Sequence, residues 1–346
     1  MMKLYVFPGN IEEDILQIGA QQIPYMRTAS FSTLVKESEQ GLLQLMKCTQ
    51  GRVLFYTASG TGAMDAVVAN YVTQKKKAFI IAGGSFGYRW KELCAYYACD
   101  YELFEVPFAK DIDYDGLEQR IKVTQPDVFL CQHHETSTGQ LYNLEKIAAI
   151  CHTYGISLVV DAISSFLADS LDMDRLGIDL CITSSQKGLN IAPGLSFIVL
   201  SARMQTETFA HRGYYFDFKE NLRNLERGQT PYSPATTLFM QLHARLQKNV
   251  RQGVDEIVRK VNQKAIYFRT LCVANGWDMP AENPSNCITG FFVHRNGDIL
   301  FTELLKKNIY IMPGGTPNYF RVSHLGVQTC RDLDHLAAAI KEIENY

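Results

Sequence analysis

The chain has no excess of either charge. Its 346 residues include 34 Lys and Arg against 36 Asp and Glu, a formal net charge of −2. A nucleic-acid groove or an anionic membrane surface calls for a basic excess, so neither partner is expected. Long hydrophobic runs are also missing. Stretches such as Ile156–Val160 and Leu195–Leu200 fall far short of the roughly 20 residues a spanning helix needs. The start, Met1–Gly9, is too briefly apolar for a signal peptide. No CxxC pair occurs among the nine cysteines, and their number is odd. Cys131 and Cys181 lie inside apolar runs, as buried free thiols do. These features disfavour a disulfide framework or a metal cage, and the expected compartment is the reducing cytoplasm. Internal repeats and low-complexity tracts are absent. Neither the dinucleotide-binding nor the P-loop glycine fingerprint occurs.

What is present reads as a globular enzyme. Hydrophobic residues make up 47% and charged residues 20%, and the length suits two domains at roughly 100–200 residues each. Strand-like and helix-like segments alternate from Arg52 onward. Strands are expected at Arg52–Tyr56, Ala78–Ala82, Tyr101–Val106, Val128–Gln132, Ser157–Val160, Asp179–Thr183 and Leu195–Leu200. Helices are expected at Ala63–Tyr71, Arg89–Ala98, Leu117–Val123 and Leu144–Tyr154. Continuously apolar strands between helices imply a mostly parallel sheet covered on both faces. A long helical stretch, Ala235–Ala274, breaks near Gly253. It leads to a smaller C-terminal unit with strands near Ile288–Val293, Ile309–Met312 and Phe320–Val322 and a helix over Cys330–Glu344. The expected division is an arm over 1–20, a large domain over 21–240 and a small α+β domain over 241–346.

Ligands of open parallel sheets bind beyond the carboxyl ends of the strands. At those ends stand Ser59-Gly60-Thr61-Gly62, His133-His134-Glu135-Thr136-Ser137-Thr138-Gly139, Asp161, and Ser184-Ser185-Gln186-Lys187. Small residues before a helix let backbone N–H groups approach a phosphate; a plain tight turn is the competing reading. Asp161 ends a buried strand, where a carboxylate needs a cation or donor; a helix N-cap, with Ser164-Ser165 following, is the competing role. Lys187 has small polar neighbours and Gly188 beside it. A desolvated lysine there loses its charge readily and forms Schiff bases. An aspartate facing a ring nitrogen and a Schiff-base lysine are what pyridoxal 5′-phosphate requires.

These segments resemble the class V aminotransferases of the pyridoxal-phosphate (PLP) fold type I. The likeness is greatest to alanine–glyoxylate, serine–pyruvate and 2-aminoethylphosphonate–pyruvate aminotransferases. Pro8-Gly9, the His133–Gly139 segment, Val159–Ser165, Gly177-Ile178-Asp179, Ser184–Lys187, Pro193-Gly194 and Phe320-Arg321-Val322 carry it, in family order. Ser323 departs, standing where relatives have glycine. The resemblance implies that Lys187 holds PLP and moves protons, and that Asp161 pairs with the pyridinium nitrogen. It implies that Ser59, Gly60 and Thr61 hold the phosphate with Gln186, that Phe86 stacks on the ring, and that Thr136 stands near the phenolic oxygen. Arg321 would take the substrate carboxylate, with Gly9 lining the same pocket. Gln229 and Thr230, with Ser233 as a further candidate, lie in a loop that relatives lend to the neighbouring subunit, which implies a homodimer with shared sites.

The expected activity is amino transfer from alanine, serine or 2-aminoethylphosphonate to pyruvate or glyoxylate. The alternative is a PLP-dependent lyase or cysteine desulfurase-like enzyme of the same fold. Against that alternative, desulfurases carry histidine before the lysine, where this chain has Gln186, and Cys330 lies in no Gly/Ser-rich loop. His133 and His134 read as buried strand-end residues without metal-ligand spacing. Asp172 and Asp174 read as helix-capping or solvated.

Overall fold

The computed structural model describes residues 2–75, 77–210, 212–294 and 297–345. In chain order its first half contains β1 (Lys3–Leu4), α1 (Glu13–Ile18), α2 (Ala29–Leu45), β2 (Arg52–Tyr56), α3 (Gly60–Asn70), β3 (Ala78–Ala82), α4 (Ser85–Tyr96), β4 (Tyr101–Glu105), α5 (Tyr114–Thr124), β5 (Val128–Gln132), β6 (His134–Glu135), β7 (Gln140–Leu141) and α6 (Leu144–Tyr154). There follow β8 (Ser157–Asp161), α7 (Met173–Leu176), β9 (Leu180–Ser184), β10 (Ser196–Leu200), α8 (Phe218–Leu225), α9 (Thr236–Gln252) and α10 (Val254–Asn275). The last part holds β11 (Ile288–Phe292), α11 (Gly297–Lys306), β12 (Ile309–Tyr310), β13 (Met312–Pro313), β14 (Tyr319–Ser323) and α12 (Cys330–Glu344).

Seven strands form one sheet in the order β2-β10-β9-β8-β5-β3-β4. Strands β3, β5, β8 and β9 are buried along their whole length. Both faces must therefore be covered, and helices cover them. Only β10 runs against its two neighbours. Strand β3 sends its chain outward to β4, while β5 returns to its other side. This reversal is the topological switch point, where open sheets leave a crevice. All the parallel strands end on that same edge.

The helices carry local start and stop signals. Asn143 caps α6 by accepting from the Lys146 N–H, and Gly155 ends the helix at φ 66°, a conformation glycine adopts without strain. Asp172 caps α7 through the Arg175 N–H. Thr28 caps α2 through the Phe31 N–H. Helix α12 starts with a reciprocal box between Thr329 and Asp332.

A second sheet, β11-β14-β13, is antiparallel and packs with α10, α11 and α12 around Phe268, Phe291, Leu304 and Leu336. The sequence expectation put the large domain's end at residue 240, inside α9. However, Phe239, Leu242 and Leu246 of that helix lie in the core of the large sheet. The first buried α10 residues of the smaller cores are Val261 and Phe268. Val254 and Ile257 still pack against the large core, so the cores divide within α10, between Ile257 and Val261; Gly253, at φ 84°, joins α9 to α10 just before. The arm is divided too: β1 pairs with β12, while Ile15 of α1 enters the large core.

Candidate active site

Asp161 is the last residue of β8 and is buried. Its Oδ1 accepts from the Ile163 N–H at 2.8 Å; that bond holds a turn, and since no helix starts there, Asp161 is not a helix N-cap. Burial pushes its carboxyl up to about 7; Glu135 pushes the same way, while Lys187 and Arg89 oppose. Lys187 follows β9, the neighbouring strand. Its stem is partly open to the cleft, while its Nζ sits 3.5 Å from the centre of the Phe7 ring. Burial pushes the amine down to about 8, Arg321 adds to the shift, and Cys287 and Asp161 oppose it. Gly188 cannot be replaced without movement, because a Cβ there would stand 2.0 Å from the Phe166 carbonyl oxygen. That contact fixes the turn carrying Lys187.

Ser59 is the N-cap of α3, yet its side chain makes no capping bond. The first N–H groups of a helix need a partner outside it. The Thr61 hydroxyl accepts from Arg89 Nη1 at 3.1 Å. The Arg89 guanidinium also lies 4.9 Å from the centre of the Phe86 ring, one turn earlier on α4. A cation therefore stands beside the uncapped helix start. Sequence reasoning gave Arg89 no role; its only signal was the i, i+3 spacing from Phe86.

Glu135 does more than mark a motif. Its buried carboxylate accepts from the Gly87 N–H at 3.0 Å, the Phe86 N–H at 3.4 Å and Gln132 Nε2 at 3.1 Å. It thus holds the start of α4, where helix N–H groups favour an anion, and with it Phe86. Burial raises its pKa, and these donors oppose the rise.

Thr136 joins two walls of the cleft. Its hydroxyl meets Ser164 Oγ at 2.7 Å, and Ser164 Oγ meets His134 Nδ1 at 2.8 Å. Its carbonyl accepts from Arg321 Nη1 at 2.9 Å, and the Pro313 carbonyl accepts from Nη2 at 2.7 Å. Arg321 Nε is buried without a partner, as are Gln186 Oε1, Ser184 Oγ and His134 Nε2. Burial holds both histidines neutral: His133 is pushed down to about 4, and His134 lies well below its ordinary value. Among the described residues, no group of three or more His, Cys, Asp or Glu side chains could hold a metal ion.

Gly9 is buried against the turn after β14; a Cβ on it would meet the Leu325 carbonyl oxygen at 2.4 Å. Gln229 and Thr230 are engaged within their own chain. Gln229 Oε1 accepts from Arg27 Nη1 at 3.2 Å, and Thr230 Oγ1 donates to the Tyr232 carbonyl at 2.7 Å. Ser233 is the exposed residue of this loop. Nearby, Tyr214 is 85% exposed, and Tyr215 stacks on Tyr232; His211 lies outside the described residues.

A lysine and an aspartate thus stand at the ends of adjacent strands, near an uncapped helix start, in an α/β fold. A family profile described as aminotransferase class-V matches residues 22–268, and the chain belongs to that family. It is 27% identical over 347 residues to the soluble hydrogenase small subunit of Synechococcus sp. (strain PCC 6716), covering 96% of this chain and 89% of the relative. It is 25% identical to the L-aspartate–glyoxylate aminotransferase of Paracoccus denitrificans, over 93% and 85% of the two chains. A 2-aminoethylphosphonate–pyruvate transaminase of Phocaeicola vulgatus is 27% identical over 90% of each. Among solved structures, an aspartate aminotransferase of Thermus thermophilus superposes with a TM-score of 0.91 at 22% identity, over 98% of this chain and 97% of that one. The fold is that of the fold type I aminotransferases.

Proposed function

We propose that this enzyme uses pyridoxal 5′-phosphate to move an amino group from a small amino acid or aminophosphonate to a small 2-oxo acid. Alanine, serine and 2-aminoethylphosphonate are the donors in view, and pyruvate and glyoxylate the acceptors. The observation that carries the reading is the placement of Asp161 at the end of β8 and of Lys187 just past the end of the adjacent β9, with the charges of Asp161 and Arg321 both acting on Lys187. The reactions named for the Paracoccus and Phocaeicola relatives support it.

The residues present fit the cofactor. The uncapped start of α3, with Ser59, Gly60, Thr61 and Arg89, suits a phosphate, and the unpartnered Gln186 Oε1 lies one residue from Lys187. Phe86 would face the ring, and Thr136 its hydroxyl edge. Bound there, the cofactor supplies an aldehyde for amines and a protonated ring that accepts the electron pair released at the substrate carbon.

The chain's own groups do the rest. A Lys187 amine titrating near 8 is in part neutral at physiological pH, so its Nζ can attack a carbonyl and then shuttle the Cα proton. The buried Asp161 carboxylate accepts poorly from water but strongly from a protonated ring nitrogen, which brings it back to its ionised form. Arg321 offers a planar fork to the substrate carboxylate, held in place by the Thr136 and Pro313 carbonyls. Phe7 covers the Lys187 amine, and Gly9 lies against Leu325.

The desulfurase reading needs an accessible thiolate of low pKa. Cys287, whose charge would act on Lys187, is buried with its thiol pushed far up.

We also propose a homodimer with shared sites, in which Ser233, rather than Gln229 or Thr230, reaches the neighbour. The exposed Tyr214 and Tyr215 beside that loop support this. A cytoplasmic location fits nine unpaired cysteines, and no described helix is long and apolar enough to cross a membrane.

The test is a donor-by-acceptor panel on purified enzyme, with the absorbance of lysine-bound cofactor as reporter. Donors should bleach that band in single turnover, and an acceptor should restore it. Release of ammonia or sulfide without an acceptor would sink the transaminase reading.

A further inference from the structure

A second cationic recess lies outside the cleft. It is a crevice of about 460 Å³ between α9, α10 and the residues leading into α12, far larger than the roughly 30 Å³ share of one water. Its walls include Arg245 and Asn249 of α9, Lys260 and Lys264 of α10, and Gln328 and Thr329. Lys187, Asp161, Thr136 and Arg321 are not among its walls.

The three cations differ in how far they are satisfied. Lys260 pairs with Glu256. Arg245 is buried, with 7% of its side chain exposed, and gives Nη1 to Glu12 at 2.7 Å. Its Nε and Nη2 have no partner. Glu12 also takes Lys248, so its charge is shared. Lys264 donates to the Gly326 carbonyl at 3.0 Å and has no carboxylate partner among the described residues. Burial pushes its amine down to about 8.

Among the described residues, Lys264 alone of the three lacks a carboxylate partner; a desolvated cation without a counterion is costly, and an anion removes the cost. Other readings of the crevice explain less. An apolar ligand would leave Lys264 and the Arg245 edge unsatisfied, and a cation would be repelled.

We propose that this crevice binds a small oxyanion, an inorganic phosphate or a small carboxylate, seated between Lys264 and Arg245, which both line it. The ligand would tie α9, which packs in the large core, to α10 and α12 of the small one. Gly188 and Asn190 also line the crevice, and Asn190 Nδ2 reaches the Gly9 carbonyl at 3.4 Å. Occupancy is therefore adjacent to the turn that carries Lys187. The proposal does not depend on which donor or acceptor the enzyme uses.

The test uses calorimetric titration of the cofactor-loaded protein with inorganic phosphate and, separately, with malonate. At least one should bind. The malonate titration is made in an Arg321→Met background, which removes the carboxylate site proposed in the cleft; there, as for phosphate in the wild-type background, binding should weaken tenfold or more in Lys264→Met and recover in Lys264→Arg. Acetylation of Lys264 in the wild-type protein, read by peptide mass spectrometry, should slow when the binding anion is present. Phosphate binding alone points to a phosphate site, malonate alone to a carboxylate site. The proposal is overturned if neither anion binds, if Lys264→Met leaves binding unchanged, or if the bound anion leaves Lys264 acetylation unchanged.

Discussion

In the seven-stranded sheet the candidate functional groups stand where strands stop. In the three-stranded sheet the one that reaches the cleft, Arg321, stands in the middle of a strand. The parallel sheet buries β3, β5, β8 and β9 on both faces, so a charged side chain is tolerable there only at or beyond a strand's end. Asp161, Lys187 and the His133–Gly139 segment all obey that rule. An antiparallel strand with one face packed alternates its side chains. Within β14, Phe320 and Val322 enter the small core, while Arg321 points the other way and meets Thr136. Groups at strand ends are thus fixed by the large core, whereas Arg321 is fixed by how the small sheet docks.

Substitutions can break this contrast. The largest effect is expected for Lys187→Ala. Transamination should fall by roughly 10⁴-fold or more, as when a covalent group is removed, with no loss of thermal stability, because a desolvated amine goes with it. Asp161→Asn should lower kcat by roughly 10²–10³-fold, the scale for losing one preorganised electrostatic partner. Arg321→Gln should lower kcat/KM by a similar roughly 10²-fold, mainly through KM. Steady-state kinetics separates the two: an Arg321→Gln defect carried wholly in kcat would contradict the assignment to carboxylate binding.

A smaller effect concerns pH. In the cofactor-free protein Asp161 keeps a proton up to about 7, while the unfolded chain releases it near its ordinary value. The folded state binds more protons in that window, so stability falls as pH rises through it. Asp161→Asn should flatten this slope. Lys187 works the other way: its amine is depressed to about 8 from 10.5, so its contribution is present at high pH and is lost as pH falls through that interval. Denaturant titrations from acid to alkaline pH read both slopes, and a wild-type slope identical to that of Asp161→Asn would contradict the buried-acid assignment.

The smallest effect is expected at Glu135. Glu135→Gln should cost about 1–3 kcal/mol through lost acceptors for the Phe86 and Gly87 N–H groups. It should weaken cofactor binding without abolishing turnover.

Much of this was legible in the chain. Val128–Gln132, Leu144–Tyr154 and Cys330–Glu344 fall where periodicity and apolar runs put them, because fully buried strands and amphipathic helices write their burial into residue type. The helices Ala29–Leu45 and Phe218–Leu225 went unread. They start from caps on Thr28 and Asp217, and the second is only eight residues long, too short for its period to stand out in the chain. The reversed direction of β10 was not readable at all, since a fully buried strand looks alike in either sense.

The sequence by itself determined the alternation of strands and helices, the residue types at the strand ends and the family they resemble. These follow from local propensity and burial, which act through neighbours along the chain. Only the tertiary structure decided that Phe7 covers Lys187, that Arg89 stands beside the start of α3, that Arg321 hangs on the Thr136 carbonyl, and that the cores part within α10. Those contacts join residues 28 to 185 positions apart. Only the packing of the whole chain sets them, because no local preference reaches that far.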